Sequence, residues 1–538
     1  MSWRYREVYW KEVTMRVRRT IGATRVTDPA TVRGVLDSIF DYMLQQFEQV
    51  VSKAVGDVSF LMFVHRMHES SVLIADLFHS GDKGVKTQLT EADFKELPVV
   101  RRVLKLIMEA VLPDQLEKAI TMEQLMSSKT SRKHVPLLEE LLYLGLQVIE
   151  AKEFINIASM FEKSIALVST WKALLSIRTA SPYHHIFDTV QRDIAAYPNV
   201  EYEQVNAELD AVLHSAFGCN LTEVQKYMPG LGTGIIGRDE FLNELGFVHE
   251  QFELVRPFYA GLTLSAANKL PLIESFKKMQ TNNRLIYRPF IEFNDQNGNT
   301  YWLVGSGKTL ESIRALQTNA LLWGQLPPEW TSNEEVKAFV KDLEKRREAL
   351  MIEQLIEQLV RYGVTHDNSI TSLLGPKNQG FNIVKKGPGE IDIIFLDEAR
   401  KVIYVCECKN NRPRFEVFYW KSEYKQFVEK YEPQLERKHS WIIGHKDLVQ
   451  GHFSQKFRKE FDFSGWAVEG LFLLMTPSFY KYDGSFKALT VVDFEEFLDN
   501  DFVYDYPVLG FQRSDESTYT IEYPYFKNVH RLIAEGVL

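Results

Sequence analysis

Three side chains between residues 392 and 409 have the types and spacing of a phosphoryl-transfer site. Glu407 and Lys409 are two positions apart, so on a β-strand they point to the same face. Asp392 lies one hairpin's length earlier and adds a second carboxylate. Two hard oxygen ligands with room for water and a substrate phosphate describe a site for Mg²⁺, or Mn²⁺. A lysine beside such an ion can orient or help deprotonate an attacking water, and can offset charge in the transition state.

The elements that must position these residues are short. Ile391 to Leu396 and Val402 to Cys406 are apolar runs rich in β-branched and aromatic residues, which predicts two strands. Asp397, Glu398, Ala399, Arg400 and Lys401 are poor strand formers and suit the connection. The two open ends of the hairpin lie side by side, so Asp392, Glu407 and Lys409 can converge.

At these residues the sequence resembles the PD-(D/E)xK superfamily of restriction-endonuclease-like nucleases. Asp392 matches the first acidic position and Glu407-Cys408-Lys409 the (D/E)xK tripeptide, although Ile391 stands where the family often has Pro. The resemblance covers roughly residues 333 to 500. It implies a further catalytic Glu on the preceding helix, Glu353 in preference to Glu357, and a metal contact from the backbone carbonyl of Cys408. It also implies a metal-dependent endonuclease acting on nucleic acid, most readily DNA, in antiviral defence or DNA processing. The expected core order is helix, strand, strand, helix, strand. A helix at 333–362 opens it, with Ser332 and Glu335 as a capping box. The hairpin follows, then a helix at Trp420–Leu435 and a third strand at Ser440–Gly444.

One other motif competes. Gly305-Ser306-Gly307-Lys308-Thr309 follows a predicted strand, precedes a helical run and looks like the end of a Walker A loop; Ile393 to Glu398 looks like a Walker B strand. The earlier glycine that the loop needs is replaced by Trp302, so the phosphate-wrapping segment is missing. A P-loop-like ATPase therefore stands as an alternative, as does a non-catalytic binding module on the nuclease fold.

The net charge of −9 excludes a protein coated in basic residues, but nucleic-acid binding needs only a local basic face. Between residues 400 and 446 Lys and Arg outnumber Asp and Glu. Arg412, Arg414, Lys421 and Lys425 are the candidate phosphate contacts there, against the plainer reading of a solvated helix face. Three cysteines (Cys219, Cys406, Cys408) without framework spacing imply reduced thiols and a cytoplasmic location. No apolar run is long enough to span a membrane.

Along the chain, residues 1 to 27 are basic and read as an arm or a first strand. Helical spacing covers Thr31–Val55, Phe60–Phe78, Phe94–Leu112, Val135–Ile149 and Phe154–Leu175. His65, His68 and Glu69 sit inside this region and read as partly buried polar residues on a helix. A hairpin is predicted around Asn294 to Gly298. The expected architecture is multidomain, α + α/β. Residues 1–280 form a mainly α-helical region for sensing, oligomerisation or an activating partner. A hairpin and connecting helix span 281–330, the nuclease-like α/β domain with a central mixed sheet 331–500, and an extension 501–538.

Overall fold

The computed structural model describes the chain apart from residues 1–2, 81–89, 114–131, 162–163, 172, 180, 197–202, 232, 279, 375–379, 415, 500–508, 513–514, 523–527, 530 and 533–538. The chain divides into two compact units, 1–178 with 199–344, and 179–198 with 345–538.

Among the described residues the first unit opens with the long helices α1 (Trp3–Ile21), α2 (Pro29–Val51), α3 (Val58–His79), α4 (Glu91–Val111) and α5 (Val135–Met160). The basic N-terminus is thus a helix, not an arm or a strand. Its Tyr5, Tyr9, Val13 and Val17 recur at a spacing of four and are all buried. Asp28 starts α2 by accepting from Thr31 N at 2.8 Å, and Pro29 fills the first turn. The separate helix expected at Phe154–Leu175 does not form among the described residues. α5 runs on to Met160, and Ile165–Val168 is a strand paired with Arg25–Val26.

The predicted hairpin at 290–304 belongs to this unit and not to a separate connecting domain. Strands β1 (Gly234–Gly237), β2 (Thr263–Leu264), β3 (Phe290–Asn294) and β4 (Thr300–Val304) form one sheet in the order β1-β4-β3-β2. Pairing with β1 and β2, on both flanks of the hairpin, is what attaches it. Phe241, Phe258, Tyr259, Phe290, Trp302 and Trp330 pack into its core. Helix α6 (Ser306–Ala315) follows β4 directly.

The boundary between the units falls inside helix α7 (Glu334–Arg361). Its N-cap is Asn333, whose Oδ1 accepts from Glu335 N at 2.9 Å; Ser332 instead donates to Glu329 O, so the expected capping box does not form. The second unit is built on a five-stranded mixed sheet: β5 (His366–Ile370), β6 (Ile391–Asp397), β7 (Val402–Lys409), β8 (Ala467–Leu474) and β9 (Lys487–Thr490), in the order β9-β8-β7-β6-β5. β6 pairs antiparallel with β5 and β7, while β7, β8 and β9 are parallel.

A continuous helical run separates β7 from β8. It consists of α8 (Val417–Gln426), a π-helical turn (Phe427–Tyr431) and α9 (Glu432–Gly444); α10 (Lys446–Phe457) follows. The expected strand at Ser440–Gly444 is therefore the end of α9, and the third strand of the core is β8. A run of five residues cannot distinguish strand from helix by periodicity. Here Leu435, Lys438 and Ile442 form the buried stripe of a helix.

The sheet is covered on both faces. Ile394, Leu396, Ile403 and Val405 pack against Ile442 of α9 and Val449 and Phe453 of α10. On the other face Phe395 and Tyr404 meet Phe494 and Phe497 of helix α11 (Val491–Leu498). α7 lies beside α11, with Gln358 bonded to Val491 O at 3.1 Å and Arg361 to Glu495 at 2.5 Å.

Candidate active site

The register of the hairpin brings the acidic residues together. Ile393 pairs with Cys406, so the next position on each strand sets Asp392 beside Glu407. Both project to the α9 face, as alternation from Ile394 and Val405 requires. Lys409 Nζ lies 2.7 Å from Glu407 Oε1. The backbone N–H of Cys408 donates to Asp392 Oδ2 at 2.7 Å. Asp392, Glu407 and Lys409 therefore converge, with Cys408 bracing them through its backbone.

Two further side chains complete the cluster. Lys438 of α9 is ion-paired with Glu407 Oε2, and its Nζ lies 3.5 Å from Asp392 Oδ1. It is only 6% exposed, and Glu407 5%. Tyr431 offers its ring to the Lys409 ammonium, which sits 4.3 Å from the centroid. Tyr431 is the last residue of the π turn, a deviation that recurs at functional sites. Lys438 was legible in principle, as a lysine on the Leu435–Ile442 stripe where an apolar residue belongs. Reading 440–444 as strand hides that stripe.

The electrostatics follow from burial. Desolvation first, then the neighbouring Glu407, holds the Asp392 carboxyl above the usual range, while Lys438 and the Cys408 N–H pull against them. Burial also pushes on Glu407, but Lys438 and Lys409 together outweigh it and hold that carboxyl below the usual range. The thiols of Cys406 and Cys408 are pushed well up by burial, which keeps them protonated. A nearby carboxyl behaves differently. Glu423 of α8 accepts from Ser478 Oγ at 2.8 Å and Asn411 Nδ2 at 3.4 Å, and burial raises it to about 7 despite these bonds and Arg414.

The donor set fits a hydrated divalent ion. A cation, the Lys438 ammonium, already bridges the two carboxylates. Among the described residues no group of three or more His, Cys, Asp or Glu side chains is placed to hold a metal. An ion here would take two carboxylate oxygens and fill its remaining positions with main-chain oxygen, water or substrate, as Mg²⁺ commonly does.

Two expected residues are not brought in. Glu353 is exposed on α7 and makes no hydrogen bond or ion pair with Asp392, Glu407 or Lys409. The buried stripe of that helix is Met351, Leu355 and Leu359, and Gln358 bonds to Val491 O of α11, the helix on the sheet face opposite the carboxylates. Glu357 is exposed as well. Arg412 is 4% exposed, so its guanidinium is not a surface phosphate contact. Of the other basic candidates, Lys421 and Lys425 are exposed on α8, and Arg414 lies over the Tyr419 ring at 5.0 Å.

The Walker-like stretch lies in the first unit and is already filled. Glu69 of α3 accepts from Gly307 N at 2.7 Å and Lys308 N at 2.8 Å, so a carboxylate of the chain occupies the anion position at the start of α6. A Cβ on Gly305 would lie 2.6 Å from Glu69 Cδ, leaving that space to the carboxylate. Lys308 is fully buried, and burial drives its ammonium down to about 7. His65 and His68 are likewise fully buried, not partly so. His68 lies 3.5 Å from Glu311, which is paired with Lys105 at 2.6 Å. This is an internal polar cluster.

No helix among the described residues is long and apolar enough to cross a membrane. No family model, no curated protein and no solved structure matches the chain.

Proposed function

We propose that the second unit is a metal-dependent phosphodiesterase of restriction-endonuclease-like fold, acting on nucleic acid and most readily on DNA. The observation that carries this reading is the convergence of Asp392, Glu407 and Lys409 on one face of an antiparallel hairpin inside a mixed sheet. Each carboxylate has one oxygen engaged within the hairpin and another turned toward the shared cation position. Asp392 Oδ2 takes the Cys408 N–H and Glu407 Oε1 takes Lys409. Asp392 Oδ1 and Glu407 Oε2 face the shared position.

Asp392 and Glu407, with the backbone carbonyl of Cys408, would hold Mg²⁺ or Mn²⁺. When bound, such an ion supplies a polarised phosphate and a water of lowered pKa. The chain's own residues do the rest. Lys409 is fixed by Glu407 and the Tyr431 ring, yet its side chain is 18% exposed. Its ammonium can donate to the attacking water or to a phosphate oxygen and offset the charge that grows there. Lys421 and Lys425 extend positive charge along the outer face of α8, where they can follow a phosphate backbone. The ATPase alternative is disfavoured by the burial of Lys308 and by Glu69 at the helix start.

The test is cleavage of plasmid and single-stranded DNA with Mg²⁺, with EDTA, and by two variants. Lys409→Ala is expected to lose at least about 100-fold in rate, the scale of one charge-stabilising donor. Glu353→Ala is expected to stay within about twofold, because surface substitutions away from a site are usually neutral. Cutting that survives EDTA or Lys409→Ala refutes the assignment.

A further inference from the structure

The cation position between Asp392 and Glu407 is held by a residue of the chain. We propose that Lys438 is a built-in counter-ion that keeps the two carboxylates together without metal, and that it must leave this position for a divalent ion to enter. The inference rests on reading the pair as a metal site.

The geometry leaves one place for two cations. The oxygens free of the hairpin's own bonds, Asp392 Oδ1 and Glu407 Oε2, both face the Lys438 ammonium. Mg²⁺ bound by the same oxygens would sit about 2.1 Å from each. An ammonium and a divalent ion sharing those oxygens would stand within about 4 Å, a repulsion too large to leave unrelieved even at a surface-like dielectric. Charge balance points the same way. Asp392, Glu407, Lys409 and Lys438 sum to zero when all are ionised, so a divalent ion added without displacement leaves an excess of two positive charges in a buried place. Lys438 sits on the inward stripe of α9, between Leu435 and Ile442. Only its flexible four-carbon stem has to swing, not the helix.

Two consequences follow for Lys438 as a positioning residue. Metal affinity is lowered by the work of moving the ammonium, and the metal-free pair is kept from repelling itself apart. The first test is binding of Mn²⁺ alone to the full-length chain, followed by electron paramagnetic resonance. Lys438→Met keeps the stem and removes the charge. It is expected to bind Mn²⁺ at least about tenfold more tightly, a difference of about 1.4 kcal/mol. Lys438→Arg, which keeps a charge, is expected to show no such gain.

The second test needs no variant. In the wild-type protein Lys438 should resist an amine-acylating reagent without metal and react several-fold faster in saturating Mn²⁺, read by peptide mass spectrometry. Wild type that binds Mn²⁺ with Lys438 still protected, or Lys438→Met that binds no more tightly, overturns the exchange and leaves the metal site standing. No Mn²⁺ binding at millimolar concentration in either protein overturns both the exchange and the metal reading.

Discussion

Replacing Glu407 by alanine should destabilise the second unit through the lysine it abandons. Lys438 is 6% exposed, and after Glu407→Ala its ammonium keeps only Asp392, at 3.5 Å. Removing one partner of a buried ion pair costs about 3–5 kcal/mol, and the remaining Asp392 places this case near the lower end, about 3 kcal/mol. With a urea slope of about 3 kcal/mol per molar, the midpoint of that unit should fall by about 1 M. Lys438→Met alone should cost less, about 1 kcal/mol, because Glu407 keeps Lys409 at 2.7 Å. The double variant Glu407→Ala/Lys438→Met removes both the abandoned charge and its partner, so it should regain about 2 kcal/mol relative to Glu407→Ala. The assay is urea unfolding read by hydrogen exchange of the β6 and β7 peptides, which isolates this unit. A double variant as unstable as the sum of the two singles would refute the reasoning. The cycle also shows whether an inactive Glu407 variant has lost its chemistry or its fold.

Two further outcomes concern pH. Burial drives the Lys308 ammonium down to about 7, and its Nζ has no hydrogen-bond partner among the described residues. The unfolded lysine keeps its proton to about pH 10.4, so stability should rise as pH climbs from about 7 to about 10, and Lys308→Met should raise the melting temperature at pH 6 but not at pH 10. The penalty relieved below pH 7 is about 5 kcal/mol at most; a destabilised variant at pH 6 refutes the account. Glu423 is raised to about 7 by burial, so its folded form holds a proton that the unfolded form has lost. Stability from this group is present below about pH 4.5 and is lost as pH rises through about 7, a change of about 3 kcal/mol. Thermal melts of Glu423→Gln should show a gain at pH 8 and none at pH 5; equal shifts at both would exclude the carboxyl as the cause.

What lies within one hairpin could be read from the amino-acid order. Strand periodicity puts Glu407 and Lys409 on one face, and a polar turn of a few residues sets Asp392 beside them. These relations depend only on neighbours along the chain and on a short loop. The helices with strong apolar stripes, such as α2 with Val35, Ile39, Met43 and Phe47 buried, were legible for the same reason.

Which charges meet depends on how distant elements pack. Lys438 reaches Glu407 because α9 crosses the hairpin; its place on the Leu435–Ile442 stripe marks it as inward, unlike the solvated Lys430 or Lys425, but does not say which carboxylate it meets. Glu353 has the right type on the predicted helix, but packing turned Met351, Leu355 and Leu359 inward and left it outside. Gly305 to Thr309 look like a phosphate loop until Glu69, 238 positions away from Gly307, is seen to fill the start of the helix. Local periodicity specifies a face, whereas the occupant of a buried position is chosen by whichever distant group satisfies its charge and hydrogen bonds.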